Sequence, residues 1–296
     1  MEPSLSSPVS SAGVRPVAVL VGRRGDRYSL GPAPIGSGAQ AEVWPAERDD
    51  GQLVAIKLAR PGRAAVEALN TEGRWLEALT HGGMTCAVPC FDRVDWDGRP
   101  GLVLPRFRYH VGELVRARVD AERGKALESV LTVGVQLARA LAMFHRAEVG
   151  AAGGRLVHRD VKPENVLVDA VGALRLADLG GSLLTEGMAP RDLGVFGSLQ
   201  WAPPDQMLPG IAEPNTTWDT YAACVMLFAW ITGEKPSFQV DPSPRLTDIG
   251  RDLHLRLRTL AAADPAGRSA AIEDLFRARA GVRVAAIVDP EASPEL

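Results

Sequence analysis

The stretch GRLVHRDVKPENVLVD at 154–169 places an acid, a lysine and a carboxamide at short, fixed spacing: Asp160, Lys162 and Asn165. Apolar runs flank the cluster, so it sits between two strand-like segments. The acid can take the proton of a hydroxyl, the lysine can neutralise a phosphoryl group, and the amide oxygen suits a hard metal ion. Downstream, LRLADLGG at 174–181 adds a second acid, Asp178, at the end of another apolar run and ahead of a flexible exit through Gly180 and Gly181. Together these residues suit phosphoryl chemistry, which needs positioning and charge neutralisation more than covalent catalysis.

Two features lie upstream. IGSGAQAEVW (35–44) sets Gly36 and Gly38 in a turn between strand-like runs, where the missing Cβ lets backbone N–H groups approach phosphate oxygens. Alone, such a pair marks a turn more often than a phosphate site, and the position of a third glycine holds Ala41. The signal strengthens because VAIK (54–57) follows one strand later. Lys57 ends an apolar run, where an unpaired ammonium would be costly. The next helical stretch offers Glu67, Glu72 and Glu77 as partners; Glu72 is chosen because it shares a face with Leu76 and Leu79.

In this order the runs resemble the signature set of eukaryotic-type (Hanks-type) serine/threonine protein kinases, found in bacteria as well as eukaryotes: glycine loop, V-A-I-K, H-R-D-x-K-P-x-N, D-F-G and A-P-E. The resemblance covers about Tyr28 to Phe276. It implies an α+β, two-lobed fold, with a small antiparallel-sheet lobe carrying one helix and a larger, mostly helical lobe. Residues 1–27 are expected as a disordered tail, 28–106 as the small lobe and 107–296 as the large one. It also implies ATP and Mg2+ as ligands and the Ser/Thr hydroxyls of proteins, including its own, as acceptors. Lys57 would hold the α- and β-phosphates and pair with Glu72. Asp160 would accept the proton of the substrate hydroxyl, Lys162 would stabilise the transferring phosphoryl, and Asn165 and Asp178 would bind magnesium. Gly36, Gly38, Val43, Ala55, Leu104, Pro105, Phe107 and Leu167 would line the nucleotide site. With Leu104 as gatekeeper, adenine would meet the Pro105 carbonyl, which proline retains, and the Phe107 N–H. Lys162, two places after the acid, is the serine/threonine spelling. Leu179 stands in for the D-F-G phenylalanine, a volume-tolerant exchange.

Further residues take expectations from the same resemblance. His158 is structural, packing beneath Asp178, and Asp219 braces the backbone of the catalytic stretch. Arg159 marks kinases switched by phosphorylation, with Thr185 and Ser182 as candidate sites. Ser198 aligns with a residue lining the substrate site. In FGSLQWAPPDQ (196–206), Pro203-Pro204-Asp205 falls on A-P-E, and Arg268 in DPAGRS is the expected partner of Asp205. Two other readings stay open. A scaffold module without catalysis is disfavoured by the presence of Lys57, Asp160, Asn165 and Asp178. A small-molecule phosphotransferase of the antibiotic or choline type is disfavoured by Lys162 and the A-P-E-like segment.

The elements that must hold these residues are legible in the periodicity. GQLVAIKLA (51–59) and GLVLPRF (101–107) read as strands, and AAVEALNTEGRWLEALTH (64–81) as a helix with Val66, Leu69, Trp75, Leu76 and Leu79 at helical spacing. ALESVLTVGVQLARALAMFH (126–145) carries Leu131, Val135, Leu137, Leu141 and Phe144 on one face. TYAACVMLFAWIT (220–232) is apolar all round, the mark of a helix buried at the centre of a domain.

Bulk properties exclude several classes. The 296 residues are 46% hydrophobic and 23% charged, which suits a folded protein of one large domain or two lobes. A net charge of −3 gives no reason to expect non-specific nucleic-acid or acidic-membrane binding. VAVLVG (17–22) is far short of a membrane span, and the start of the chain makes a poor signal peptide, so a soluble, cytoplasmic protein is expected. Cys86, Cys90 and Cys224 lack metal or redox spacing and read as buried apolar groups. Oligomeric state is not encoded in any feature of the sequence.

Overall fold

The computed structural model describes residues 16–114, 126–149, 154–185, 197–198, 200–203, 206 and 213–232. The chain divides into two compact units, Met1–Leu69 with Cys90–Arg106, and Asn70–Pro89 with Phe107–Leu296.

An antiparallel sheet makes up most of the first unit. Its strands are β1 (Val19–Val21), β2 (Arg27–Leu30), β3 (Gly36–Ser37), β4 (Ala41–Arg48), β5 (Leu53–Ala59), β6 (Asp92–Trp96) and β7 (Arg99–Pro105). They lie in the order β1-β2-β4-β5-β7-β6, with β3 paired to β4. Side chains alternate between faces, so register assigns each residue a side. Ala46 opposite Val54, and Ile56 opposite Val103, bring these residues and Leu58 to one face. There they close a core with Leu20, Tyr28, Leu30 and Val94. Each fully buried Ile, Leu or Val contributes about 1.5–3 kcal/mol, enough to make a one-residue slip of β5 prohibitive. The other face carries Val43 opposite Lys57 and Ala55 opposite Leu104. Pro45 sits inside β4 and its carbonyl accepts the N–H of Gly31 at 2.8 Å, just past the end of β2. A Cβ on Gly31 would come within 2.8 Å of the Pro45 ring.

One expectation is corrected here. Strand β1 falls within the stretch 1–27 expected as a tail, and it pairs with β2, Leu20 opposite Tyr28. Leu20 is the inward residue, while Val17, Val19 and Val21 are exposed, so the run VAVLV lacks the polar alternation that announces a half-buried strand. The β1–β2 turn is pinned by the buried Asp92, which accepts from the Arg24 N–H at 3.4 Å and the Tyr28 hydroxyl at 3.2 Å.

Helix α1 (Arg63–His81) runs across the division between the units. The stretch 70–89, expected in the small lobe, groups with the second unit because the loop after α1 joins β11 (Leu174–Leu176). Val88 N–H donates to the Leu176 carbonyl at 2.9 Å and Leu176 N–H to the Cys86 carbonyl at 2.8 Å. The rest of this unit comprises α2 (Ala126–His145), α3 (Thr217–Thr232) and short strands β8 (Tyr109–His110), β9 (Leu156–Val157), β10 (Val166–Val168) and β12 (Leu183–Leu184). Helix α3 packs along α2, and its residues from Tyr221 to Leu227 are all buried. On α2, Leu137, Leu141 and Phe144 are buried; Leu131 and Val135 are outside the described side chains. Short strand pairs frame the polar cluster: β9 with β12, and β10 between β11 and β8.

Candidate active site

The catalytic stretch is irregular backbone, so its orientation depends on bonds from elsewhere. Asp219, 1% exposed in the first turn of α3, supplies them. One carboxylate oxygen accepts the N–H of Arg159 and the other the N–H of His158, each at 2.8 Å, and the second also meets Nε2 of His145 at 2.8 Å. His145 is thus part of the brace. It shows no ligand-type spacing, and its place at the end of α2, beside α3, is a tertiary fact. The His158 ring spans the cluster: Nε2 donates to the Ala177 carbonyl at 3.0 Å, and Nδ1 accepts the Asp160 N–H at 3.3 Å.

Asp160 is held at the centre. One oxygen accepts Lys162 Nζ at 2.7 Å and Asn165 Nδ2 at 3.1 Å; the other accepts the Ser198 hydroxyl at 2.9 Å. Lys162 Nζ also reaches Ser198 Oγ at 3.2 Å. An ionised carboxylate accepts about four hydrogen bonds. Three are occupied, which fixes the side chain and leaves acceptor capacity for an incoming hydroxyl. Gly197 and Ser198 of FGSLQWAPPDQ therefore dock on the catalytic stretch. Gly197, at φ +112°, lies so close that a Cβ would come within 2.6 Å of the Arg159 carbonyl. Gln206 Nε2 donates to that carbonyl at 2.5 Å. Gln206 carried no sequence signal. The expected Asp205–Arg268 pair lies outside the described residues.

Arg159 and Asp178, non-glycine residues, adopt left-handed backbone at φ +71° and +64°. Such conformations cost about 1–3 kcal/mol each and persist where surroundings enforce them. Arg159 is enforced by Asp219, and burial lowers the pKa of its guanidinium below the ordinary value. Asp178 follows Ala177, whose N–H donates to the Asn165 carbonyl at 2.9 Å. The hairpin β10–β11 begins directly after Asn165 and ends two residues before Asp178, so it sets their separation. Asp169 shapes its turn, accepting from the Ala173 N–H at 2.7 Å and from Arg175 Nη2 at 2.7 Å. Leu167 lies half-buried at the middle of β10. Leu179, in the D-F-G phenylalanine position, is fully buried.

Among the acids of α1, Glu72 is 2% exposed alongside the buried Leu76 and Leu79. Glu67 is exposed and pairs with Arg63 at 2.7 Å on the helix surface. Trp75, one residue before Leu76, donates its indole N–H to the Ser182 carbonyl at 3.0 Å, tying α1 to the segment after Asp178. Ser182 is buried, its hydroxyl donating to the His158 carbonyl at 3.3 Å. Thr185 is half-buried, its hydroxyl accepting the Arg155 N–H at 2.9 Å.

The first unit holds Gly36 and Gly38 in the β3–β4 hairpin, where Gly38 N–H donates to the Ala41 carbonyl at 2.9 Å. Val43, Ala55, Lys57 and Leu104 share the sheet face opposite its core. Pro105 closes β7, and Phe107 opens the second unit.

Residues 32–275, more than three quarters of the chain, match the protein kinase domain family. The chain belongs to that family. The α+β, two-lobed fold expected from the sequence is the family's fold. The kinase is 33% identical to the serine/threonine-protein kinase PkaB of Streptomyces coelicolor over 72% of its own length and 50% of the relative's. It is 29% identical to PknA of Mycobacterium tuberculosis, over 68% and 46%, and 27% identical to PrkC of Bacillus subtilis, over 74% and 32%. It thus spans between a third and a half of the length of these relatives. Among its described residues, no group of three or more His, Cys, Asp or Glu is placed to hold a metal unaided. No helix among the described residues is long and apolar enough to cross a membrane.

Proposed function

We propose that this kinase transfers the γ-phosphate of ATP to serine or threonine hydroxyls of a protein, its own chain included. The observation that carries this reading is the arrangement around Asp160, with Lys162, Asn165 and Ser198 bonded to its two oxygens. A substrate hydroxyl at the remaining acceptor position gives its proton to Asp160 as its oxygen bonds the γ-phosphorus and the bridge to the β-phosphate breaks. Lys162 offers its charge to the moving phosphoryl. Lys57 holds the α- and β-phosphates with Glu72 as counter-charge, and the loop at Gly36 and Gly38 offers backbone N–H groups. Val43, Ala55, Leu104 and Leu167 flank the adenine, which meets the Pro105 carbonyl and the Phe107 N–H. Asn165 and Asp178 would hold magnesium, which neutralises phosphate charge when bound. The partner is a protein, not a nucleic acid, and Thr185 is a better modification site than the buried Ser182.

The test is incorporation of labelled phosphate from ATP with magnesium, comparing the parent with Asp160→Ala, followed by mapping of the modified residues. Loss of a general base costs about 10²–10⁴-fold in rate. Equal labelling of both proteins, or transfer to a metabolite and never to protein, would overturn the reading.

A further inference from the structure

The tip of the β3–β4 hairpin is fastened by a residue that belongs to neither strand. Arg60 follows β5 directly. Its Nε donates to the Gly38 carbonyl at 2.7 Å, its Nη2 to Ser37 Oγ at 2.5 Å, and its backbone N–H to the Gln40 carbonyl at 2.8 Å. Glu42 braces the guanidinium, with Oε1 at 3.3 Å from Arg60 Nη1. Its other oxygen accepts Arg99 Nη2 at 3.0 Å, and Arg99 Nε donates to the carbonyl of Ala59, the residue before Arg60, at 2.7 Å. Three charged side chains from three strands' ends thus converge on one turn.

The consequence lies in peptide geometry. In a planar trans peptide the C=O and N–H point in opposite directions. With the Gly38 carbonyl turned to Arg60, the N–H of Ala39 at the apex is turned away from it. Glycine makes rotation of that peptide cheap, so without a tether both orientations would be populated. We propose that Arg60 is a positioning residue for the phosphates of the nucleotide, holding the apex peptide of the glycine loop in its donating orientation. The inference rests on the reading that this hairpin receives ATP.

The experiment compares the parent chain with Arg60→Ala and Arg60→Lys, measuring KM for ATP, kcat, and competitive inhibition by adenosine, which has no phosphates. Arg60→Ala raises KM for ATP about tenfold, the effect of losing hydrogen bonds to a charged group, with kcat changed less than threefold and adenosine inhibition unchanged. Arg60→Lys resembles the alanine variant, because one ammonium cannot span the acceptors a guanidinium fork spans. Three results overturn the proposal: KM within twofold of parent in Arg60→Ala, parental KM in Arg60→Lys, or adenosine inhibition weakened in parallel with ATP. A parent chain that binds no ATP at all overturns the kinase reading and this inference with it.

Discussion

At the scale of single residues, two side chains have consequences that separate easily. Ser198 bonds both Asp160 and Lys162. Replacing it with alanine frees the acid to rotate, and losing a hydrogen bond to a charged group costs about 1.5–3 kcal/mol. We expect kcat to fall by one to two orders of magnitude in Ser198→Ala and to be mostly retained in Ser198→Thr, as steady-state kinetics would register. Asp219 holds two backbone N–H groups and a histidine in a buried site. Asp219→Ala leaves those groups unpaired at a cost of about 3–5 kcal/mol, visible as a lower urea midpoint; an unchanged midpoint would refute the bracing role. The residues proposed to bear the chemistry stood out in the sequence because phosphoryl transfer demands particular side chains at short spacing. His145, Gln206 and Arg60 were not, because each acts through contacts made 74, 47 and about 20 positions away in the chain.

At the scale of elements, strands and helices followed from their periods: the core face of β5, the inner face of α1 and the all-round burial of α3. What the periods did not announce was β1, whose outward valines mask its alternation. An indole N–H fastens helix α1 to the segment after Asp178. Trp75→Phe keeps most of the apolar contact and removes that donor, so we expect about 1 kcal/mol of local stability to be lost. Faster amide exchange at Leu183 and Leu184 would reveal it, and unaltered protection would argue that packing alone holds the contact. The latch at the glycine loop has a pH signature. The hydrogen bond from Arg99 chiefly, with the nearby Arg60 charge adding to it, holds the Glu42 carboxyl below the usual carboxylate range. A carboxylate with a depressed folded pKa stabilises above its unfolded pKa and loses that stabilisation as pH falls through the folded value. The stability gap between the parent and Glu42→Gln should therefore stay constant from pH 8 to about 5 and close below that range.

At the scale of the whole molecule, the three cysteines are free and buried. Burial pushes the Cys86 thiol up to about 11 and Cys224 up to about 12. Thiolate is the reactive form, so the native kinase should resist a thiol reagent at pH 8 and titrate three groups once unfolded in guanidinium. Rapid native labelling would place at least one thiol at the surface. One contact near the acid also bears on selectivity. Ser198 presents to Asp160 the same functional group as the proposed substrate serine would, at 2.9 Å. What distinguishes it is its second bond: a lone pair of its oxygen is committed to the Lys162 ammonium, which withdraws electron density from the atom that would attack. On the proposed function, this second bond disfavours attack by the Ser198 oxygen, and phosphosite maps should find Ser198 unmodified however long the reaction runs.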